Sequence, residues 1–352
     1  MSKTRIAVIF GGASSEYPVS LLSASSVIEK LDREKYEIIK IGITRDGRWL
    51  YYTGDTAGIR DGTWTEKSSV PAFISPDSSQ KCVATVRDDK LHYLPVDVVF
   101  PVLHGRNGED GTIQGLFELA KIPYVGCGVL SSAACMDKGV TNVLLATAGI
   151  PKAKFLACKA ADIDSNIDEI ERRLGYPVFV KPANTGSSVG ISKAKNRDEL
   201  LTAVRLASVH DRKIVIEENI DGAEVECAVL GNDNPIASIV GEVKPANEFY
   251  DYEAKYEADS ELYIPARISA GVSEKVRKIA LEAYKVMGCE GMSRVDFFVK
   301  ADGSVLLNEI NTIPGFTSIS MYGKLFEASG IPYPELLDRL VELAVERAKV
   351  SS

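Results

Sequence analysis

Residues 293–311 constrain the fold most. They read Ser293-Arg294-Val295-Asp296-Phe297-Phe298-Val299-Lys300, then Ala301-Asp302-Gly303-Ser304, then Val305-Leu306-Leu307-Asn308-Glu309-Ile310-Asn311. Asp-Gly between two apolar runs marks a β-hairpin. A turn centred on Asp302-Gly303 sets Asp296 opposite Glu309 and Arg294 opposite Asn311. Strand side chains alternate, so all four share one face. Two carboxylates and an amide oxygen are the hard ligands that Mg²⁺ takes beside substrate phosphates. A bulge would slide this register by one residue. A solvated strand face with cross-strand ion pairs is the plain alternative. Against it, the segment runs into Asn311-Thr312-Ile313-Pro314-Gly315-Phe316-Thr317, a glycine-bearing turn able to present backbone N–H groups. Carboxylates, an arginine and open donors suit phosphoryl or acyl transfer.

The 352 residues are 45% hydrophobic, enough for two or three domains. The net charge is −8 and no long basic run occurs, which argues against a nucleic-acid partner. The start carries no signal-peptide pattern, and no apolar stretch reaches 18 residues, so no membrane partner is expected. The six cysteines form no C-x-x-C pair, which argues against metal or redox use and suits a reducing cytoplasm.

Ile6–Phe10 reads as a buried strand, Gly11–Glu16 as a tight loop, and Val19–Leu31 as a helix, the opening of an α/β domain. Residues 38–43 and 96–102 look like further strands. The polar loop His104–Gly111 follows, then a helix over 112–120. Residues 46–93 read as an insertion of turns and short strands. One helix is expected over 131–148, stopped by Gly149 and Pro151. Strands are expected at 176–182, 214–218, 224–230 and 236–243, and a helix at 197–209. Residues 244–261 read as a lid. Ser273 is expected to cap a helix ending near Gly288, and a last helix starts at Pro334.

Lys181 at a strand end leads into Ala183–Gly190, small residues that let N–H groups approach phosphate. It is no P-loop, since G-x-x-x-x-G-K-[ST] is absent. Alone it could be structural; the hairpin downstream favours nucleotide binding. The strand ending at Glu217-Glu218 could read an adenine edge and hold ribose hydroxyls, or be a surface loop. Glu16 could be a helix cap favoured by the dipole. Gly126-x-Gly128 is too short for a dinucleotide fingerprint. His104 is either a core histidine or a loop ligand.

Taken together, the chain resembles the D-alanine–D-alanine ligases of the ATP-grasp superfamily over nearly its whole length. The resemblance rests on Gly11-Gly12-x-Ser14-x-Glu16-x-x-Val19-Ser20, Leu103-His104-Gly105-x-x-Gly108-Glu109-Asp110-Gly111 and Met136-Asp137-Lys138. It continues through Lys181-Pro182, Gly186-Ser187-Ser188-Val189-Gly190 and Tyr250-Asp251-Tyr252-x-x-Lys255-Tyr256. It closes with Arg294-x-Asp296 and Asn308–Thr317. It implies an α/β fold, α+β in its nucleotide-binding part, of three domains: 1–130 for the first substrate, 131–228 for ATP, and 229–352 with lid and metal site. Lys138, Lys181 and Ser188 would meet the phosphates. Glu217, Asn219, Ile220, Glu224 and Phe249 would surround adenosine. Asp296, Glu309 and Asn311 would bind two Mg²⁺ ions, or Mn²⁺. Glu16, with Val19 nearby, would take the first D-alanine's ammonium. Ser187 would join Glu16 and Tyr256 in one hydrogen-bonded group. Lys255, Ser320 and the Met321 backbone would hold the second carboxylate, and Arg294 with the Gly315 N–H would face the oxyanion. A homodimer in the cytoplasm is implied as well.

Pro18, Asn219 and Gly323 depart from the family pattern without removing a chemical group. Resistance ligases that make D-alanyl-D-serine can keep Lys-Tyr in the lid. The first domain here, with Ile41-Gly42-Ile43-Thr44-Arg45 and Tyr51-Tyr52-Thr53-Gly54, resembles that branch, but resistance ligases usually carry arginine after the serine of the second-substrate segment. Ser320-Met321 is of the D-alanine type. The expected reaction is therefore D-alanyl-D-alanine synthesis through an acyl phosphate, with D-alanyl-D-serine synthesis as the alternative. A glutathione-synthetase-like peptide ligase would share the hairpin but lack the Gly-Gly-x-Ser-x-Glu opening. A nucleotide-binding regulator without catalysis would not need every phosphate and metal group.

Overall fold

The computed structural model describes residues 3–66, 68–244 and 261–350. Phe249, Tyr250, Lys255 and Tyr256, with nearly all of the expected lid, lie outside the described residues.

The N-terminal sheet has seven strands: β1 (Thr4–Gly11), β2 (Tyr36–Ile43), β3 (Trp49–Tyr52), β4 (Ser69–Ile74), β5 (Cys82–Arg87), β6 (Lys90–Pro95) and β7 (Val98–Val102). Their order is β6-β5-β4-β3-β2-β1-β7, with β1 parallel to β2 and β7. Both faces of β1 are covered. Ile6, Val8 and Phe10 join one core, while Ala7 and Ile9 join another. A parallel strand buried on both sides reads as a continuous apolar run. Residues 46–93 are not an insertion. They supply β3 to β6 and extend this sheet by antiparallel pairing.

α1 (Tyr17–Lys30) carries Pro18 in its first turn, where the missing N–H costs nothing. α2 (Thr56–Arg60) packs on α1, and α3 (Thr112–Ala120) closes the other face. The helix expected over 131–148 is two helices, α4 (Val129–Met136) and α5 (Lys138–Thr147). Asp137 breaks them: its ψ is 98°, and its side chain accepts from Val140 N at 3.0 Å as the cap of α5. The break turns Lys138 toward Thr185, whose carbonyl its Nζ contacts.

The second sheet comprises β8 (Phe155–Lys159), β9 (Val178–Pro182), β10 (Ser192–Ala194) and β11 (Lys213–Glu218), ordered β10-β9-β11-β8. α6 (Ile163–Leu174) and α7 (Arg197–Ser208) cover it. The third sheet comprises β12 (Ala223–Leu230), β13 (Ile236–Lys244), β14 (Glu261–Tyr263), β15 (Met292–Val299) and β16 (Val305–Asn311), ordered β14-β13-β12-β15-β16. β12 pairs wholly within this third sheet, so a domain boundary at 228 would cut through it. α8 (Ala270–Val286) starts earlier than expected, capped by Ser269 rather than Ser273. α9 (Met321–Ala328) and α10 (Tyr333–Val350) complete the chain. Phe316 anchors the loop after β16. Its ring meets Phe100 edge-on at 5.8 Å and Tyr322 at 5.7 Å, tying the third sheet to the first. All six cysteines are free.

Candidate active site

The hairpin of β15 and β16 sets Asp296 opposite Glu309 and Arg294 opposite Asn311. The turn is not the two-residue one. Gly303, at φ +79°, closes a three-residue loop in which Lys300 N donates to Ser304 O at 2.9 Å. That slides the register by one near the turn, pairing Phe297 with Leu307. Asn308 is then passed over as a bulge, and the slip is undone before the polar row begins.

Two cavities meet at this row. The larger, about 440 Å³, lies between the second and third sheets. Lys181, Ser188, Glu217, Asn219, Ile220, Glu224, Asp296 and Glu309 are among its walls. The smaller, about 50 Å³, is lined by Glu16, Glu109, Lys138, Gly186, Ser187 and Asn311. Asn308 and Glu309 line both, so Glu309 stands on their common wall.

Glu16 is not a side-chain cap of α1. It is 6% exposed, and its Oε1 accepts from Ser187 Oγ. Its Oε2 is buried without a hydrogen bond among the described residues. Gly105 and Gly186 enclose it so closely that a Cβ on either would collide with Oε2. Ser187 and Ser188 hold left-handed φ of +47° and +58°, uncommon for residues with a Cβ. A buried carboxylate costs several kcal/mol unless a cation meets it. A walled oxygen of this kind fits a substrate ammonium.

Lys181 Nζ donates to Glu217 Oε2 at 2.7 Å, and Asn142 Nδ2 donates to Oε1 at 2.8 Å. Burial works against both charges, but Lys181 and Lys152 outweigh it at Glu217 and hold its carboxyl at about 2. Breaking one side of a buried pair costs about 3 kcal/mol. We therefore expect Glu217→Gln to lose about that much stability at pH 7. A carboxyl depressed in the folded state stabilises above its unfolded value, near 4.5, and that contribution fades as pH falls toward 2. Denaturant midpoints of the two proteins should converge over that window. Parallel curves would mean that the pair adds nothing.

Arg294 Nε donates to Asp296 Oδ1 at 2.8 Å and Nη2 to Oδ2 at 2.7 Å, and Asn311 Nδ2 donates to Oδ2 at 2.9 Å. Among the described residues no three His, Cys, Asp or Glu side chains converge on one point as a metal cage. Mg²⁺ needs no such cage, since one or two carboxylates suffice when phosphates complete its octahedron. The oxygen donors of Asp296, Glu309 and Asn311 fit that chemistry, and the open cavity beside them leaves room for the phosphates.

Val19 is buried on α1, and neither it nor Ser320 and Met321 reaches these two cavities. Ser320 Oγ accepts from Thr317 N at 3.0 Å and lies where a Cβ on Gly315 would press on it. The Met321 side chain packs under Gly241 in the core.

His104 is a buried histidine, with Nδ1 3.0 Å from Ile313 O and Nε2 3.1 Å from Ser23 Oγ. Beside it Glu109 accepts from Gly105 N at 2.7 Å and Ile313 N at 3.0 Å. Burial and the nearby Glu16 charge push the Glu109 carboxyl up to about 8. Lys152 donates to Asn308 O at 2.9 Å, and burial brings it down to about 8. Lys152 and Glu226 lie outside the sequence motifs, and Glu109 stands in one of them without an assigned role. The available signal for Glu226 was a carboxylate inside the otherwise apolar Val225–Leu230.

Residues 5–127 match the family model described as D-ala D-ala ligase N-terminus, and residues 144–342 the one described as D-ala D-ala ligase C-terminus. The chain belongs to the D-alanine–D-alanine ligase family. A D-alanine–D-alanine ligase from Caldicellulosiruptor bescii is 53% identical over 353 aligned residues, covering 99% of this chain and 96% of that one. Among solved structures, the VanG D-Ala:D-Ser ligase from Enterococcus faecalis superposes with a TM-score of 0.91 at 45% identity, covering 97% of this chain and all of that one. A D-alanine-D-alanine ligase from Coxiella burnetii gives 0.87 at 37% identity, covering all of this chain and 96% of that one. One from Bacillus anthracis complexed with ATP gives 0.75 at 29%, covering 99% and 100%. The three sheets are thus those of a three-domain ATP-grasp ligase, as the sequence motifs implied. Among the described residues no helix of this family member is long and apolar enough to cross a membrane.

Proposed function

We propose that this protein joins two D-alanines with ATP, through a D-alanyl phosphate, to supply D-alanyl-D-alanine for peptidoglycan precursors. The observation that carries the reading is Glu309 on the wall between the two cavities, where a γ-phosphate from one side can reach a carboxylate on the other. In this reading Glu217, Asn219, Ile220 and Glu224 hold adenosine, and Lys181, Lys138 and Ser188 hold phosphates. Glu16 takes the first ammonium, with Ser187 fixing its carboxylate. Asp296, Glu309 and Asn311 would hold two Mg²⁺ ions, which would neutralise charge on the phosphates. The first D-alanine's carboxylate takes the γ-phosphoryl group. The second amine attacks the resulting acyl carbon, Arg294 and the Gly315 N–H receive the oxyanion, and phosphate leaves. Ser320, the Met321 backbone and Lys255 hold the second carboxylate. Residues 250–256 exclude water, which would hydrolyse the acyl phosphate.

Phosphate release dependent on both ATP and D-alanine, with the dipeptide found by mass, tests the reading. The likeness to a D-Ala:D-Ser ligase supports D-serine as an alternative second substrate. Equal D-alanine and D-serine in competition decides between them: mainly D-alanyl-D-serine would remove D-alanine and leave the ligase. Arg294→Lys keeps the charge but loses the planar fork. Its kcat is expected to fall by more than the D-alanine KM rises, and a pure KM effect would move Arg294 to substrate binding. The same reading makes the protein a cytoplasmic homodimer. Leu119, Leu130 and Val143, 67%, 81% and 52% exposed on the adjacent helices α3, α4 and α5, offer apolar surface for a second copy. Molar mass in solution tests that.

A further inference from the structure

The register of β12, β15 and β16 lines up Glu226, Asp296 and Glu309 across three adjacent strands. The sequence motifs account for the last two but not the first. Glu226 is 5% exposed, between the fully buried Val225 and Cys227. A carboxylate there is costly unless a cation balances it. Its Oε2 lies 3.0 Å from Nε of Arg294, the same nitrogen that donates to Asp296 Oδ1 at 2.8 Å. A guanidinium Nε carries one hydrogen. Here that hydrogen goes to Asp296, and Glu226 meets the guanidinium as an ion pair.

The ligase reading asks two things of Asp296. It must hold Arg294, and it must offer oxygen to a divalent cation. A carboxylate has about four acceptor positions. Two donors from Arg294 and one from Asn311 already address Asp296. About one position is left, on oxygens that already face the guanidinium, so a cation bound there draws electron density from the bonds to Arg294.

Resting on that reading, we propose that Glu226 is the positioning residue for Arg294. When a divalent cation draws on Asp296, the Arg294 Nε–H keeps its proton and turns its hydrogen bond from Asp296 to Glu226, and the guanidinium stays in its plane with its outer N–H groups turned toward the developing oxyanion. Glu226 thereby couples metal loading to the readiness of Arg294. Its ion pair with Arg294, from the strand next to the hairpin, makes it a support for the arginine and not a third metal ligand.

The test is Mn²⁺ binding in the presence of ADP, without amino acid, followed by electron paramagnetic resonance. Glu226→Gln and Glu226→Asp are compared in the natural protein and in an Arg294→Gln background. Glu226→Gln should weaken Mn²⁺ about tenfold, the scale seen when groups that orient metal ligands are removed. It should lower kcat while leaving the D-alanine KM within about twofold, as expected for an interaction made in the transition state. Glu226→Asp should recover part of both. In the Arg294→Gln background, Glu226→Gln should change Mn²⁺ affinity no further. An equal loss in both backgrounds overturns the proposal and makes Glu226 a ligand itself. Unchanged affinity in the natural background, with only a lower unfolding midpoint, makes it a structural ion pair and also overturns the proposal. If the unsubstituted protein binds no Mn²⁺ with ADP, the ligase reading fails, and the inference falls with it.

Discussion

Glu309→Gln is expected to lower turnover at least about a hundredfold while the protein still folds. The substitution keeps the volume of the side chain and removes its charge. Glu309 sits where β16 has just recovered its register after the Asn308 bulge, on the wall shared by the two cavities. Its charge also supports the buried ammonium groups of Lys181 and Lys152. In phosphoryl transfer the protein contributes mainly position and charge, so a lost carboxylate at the phosphate falls directly on the barrier. Excess Mg²⁺ should recover part of the rate if the residue is a ligand. The check is phosphate release across a Mg²⁺ titration, beside circular dichroism of the variant. Near-normal turnover at limiting Mg²⁺ would sink the metal assignment.

The polar row was legible in the sequence partly because two departures cancel. A two-residue turn and a three-residue turn followed by a bulge give the same pairing of Asp296 with Glu309. Alternation fixes the face, and that part of the inference depends only on the pleat. The split between α4 and α5 was not legible, because the apolar spacing runs on through Met136-Asp137-Lys138 and only the cap bond from Asp137 ends the helix. The sheet role of residues 46–93 was hidden for a related reason. Short antiparallel strands joined by turns look the same whether they extend a sheet or decorate it. Glu226 became readable only once β12 was paired with β15, since its partner Arg294 lies far along the chain. The family resemblance supplied roles for Val19, Ser320 and Met321, and the described residues leave these away from the two cavities at the hairpin.

Glu16→Gln separates function from stability. Ser187 Oγ donates to Glu16 Oε1, a bond a carboxamide oxygen can still accept. The other oxygen is buried, without a hydrogen bond among the described residues, and enclosed by Gly105 and Gly186. Among the described residues no ion pair balances the negative charge, so it waits on a cation from the ligand. The neighbouring Glu109 carboxyl is raised by burial and by the Glu16 charge, so it gives that charge no support. Removing the Glu16 charge should therefore leave the unliganded protein as stable or more so, the pattern of a site built for its ligand. Catalysis should respond in the opposite direction. Losing one partner of a buried, hydrogen-bonded charge pair costs about 2–5 kcal/mol, which puts the expected loss in kcat/KM for D-alanine at about 30-fold or more. The KM for ATP should move little, because Glu16 lines the small cavity and not the nucleotide cavity. Denaturant unfolding and steady-state kinetics on the same preparation decide it. A lowered unfolding midpoint with activity falling only in step with the folded fraction would return Glu16 to a purely structural role at the start of α1.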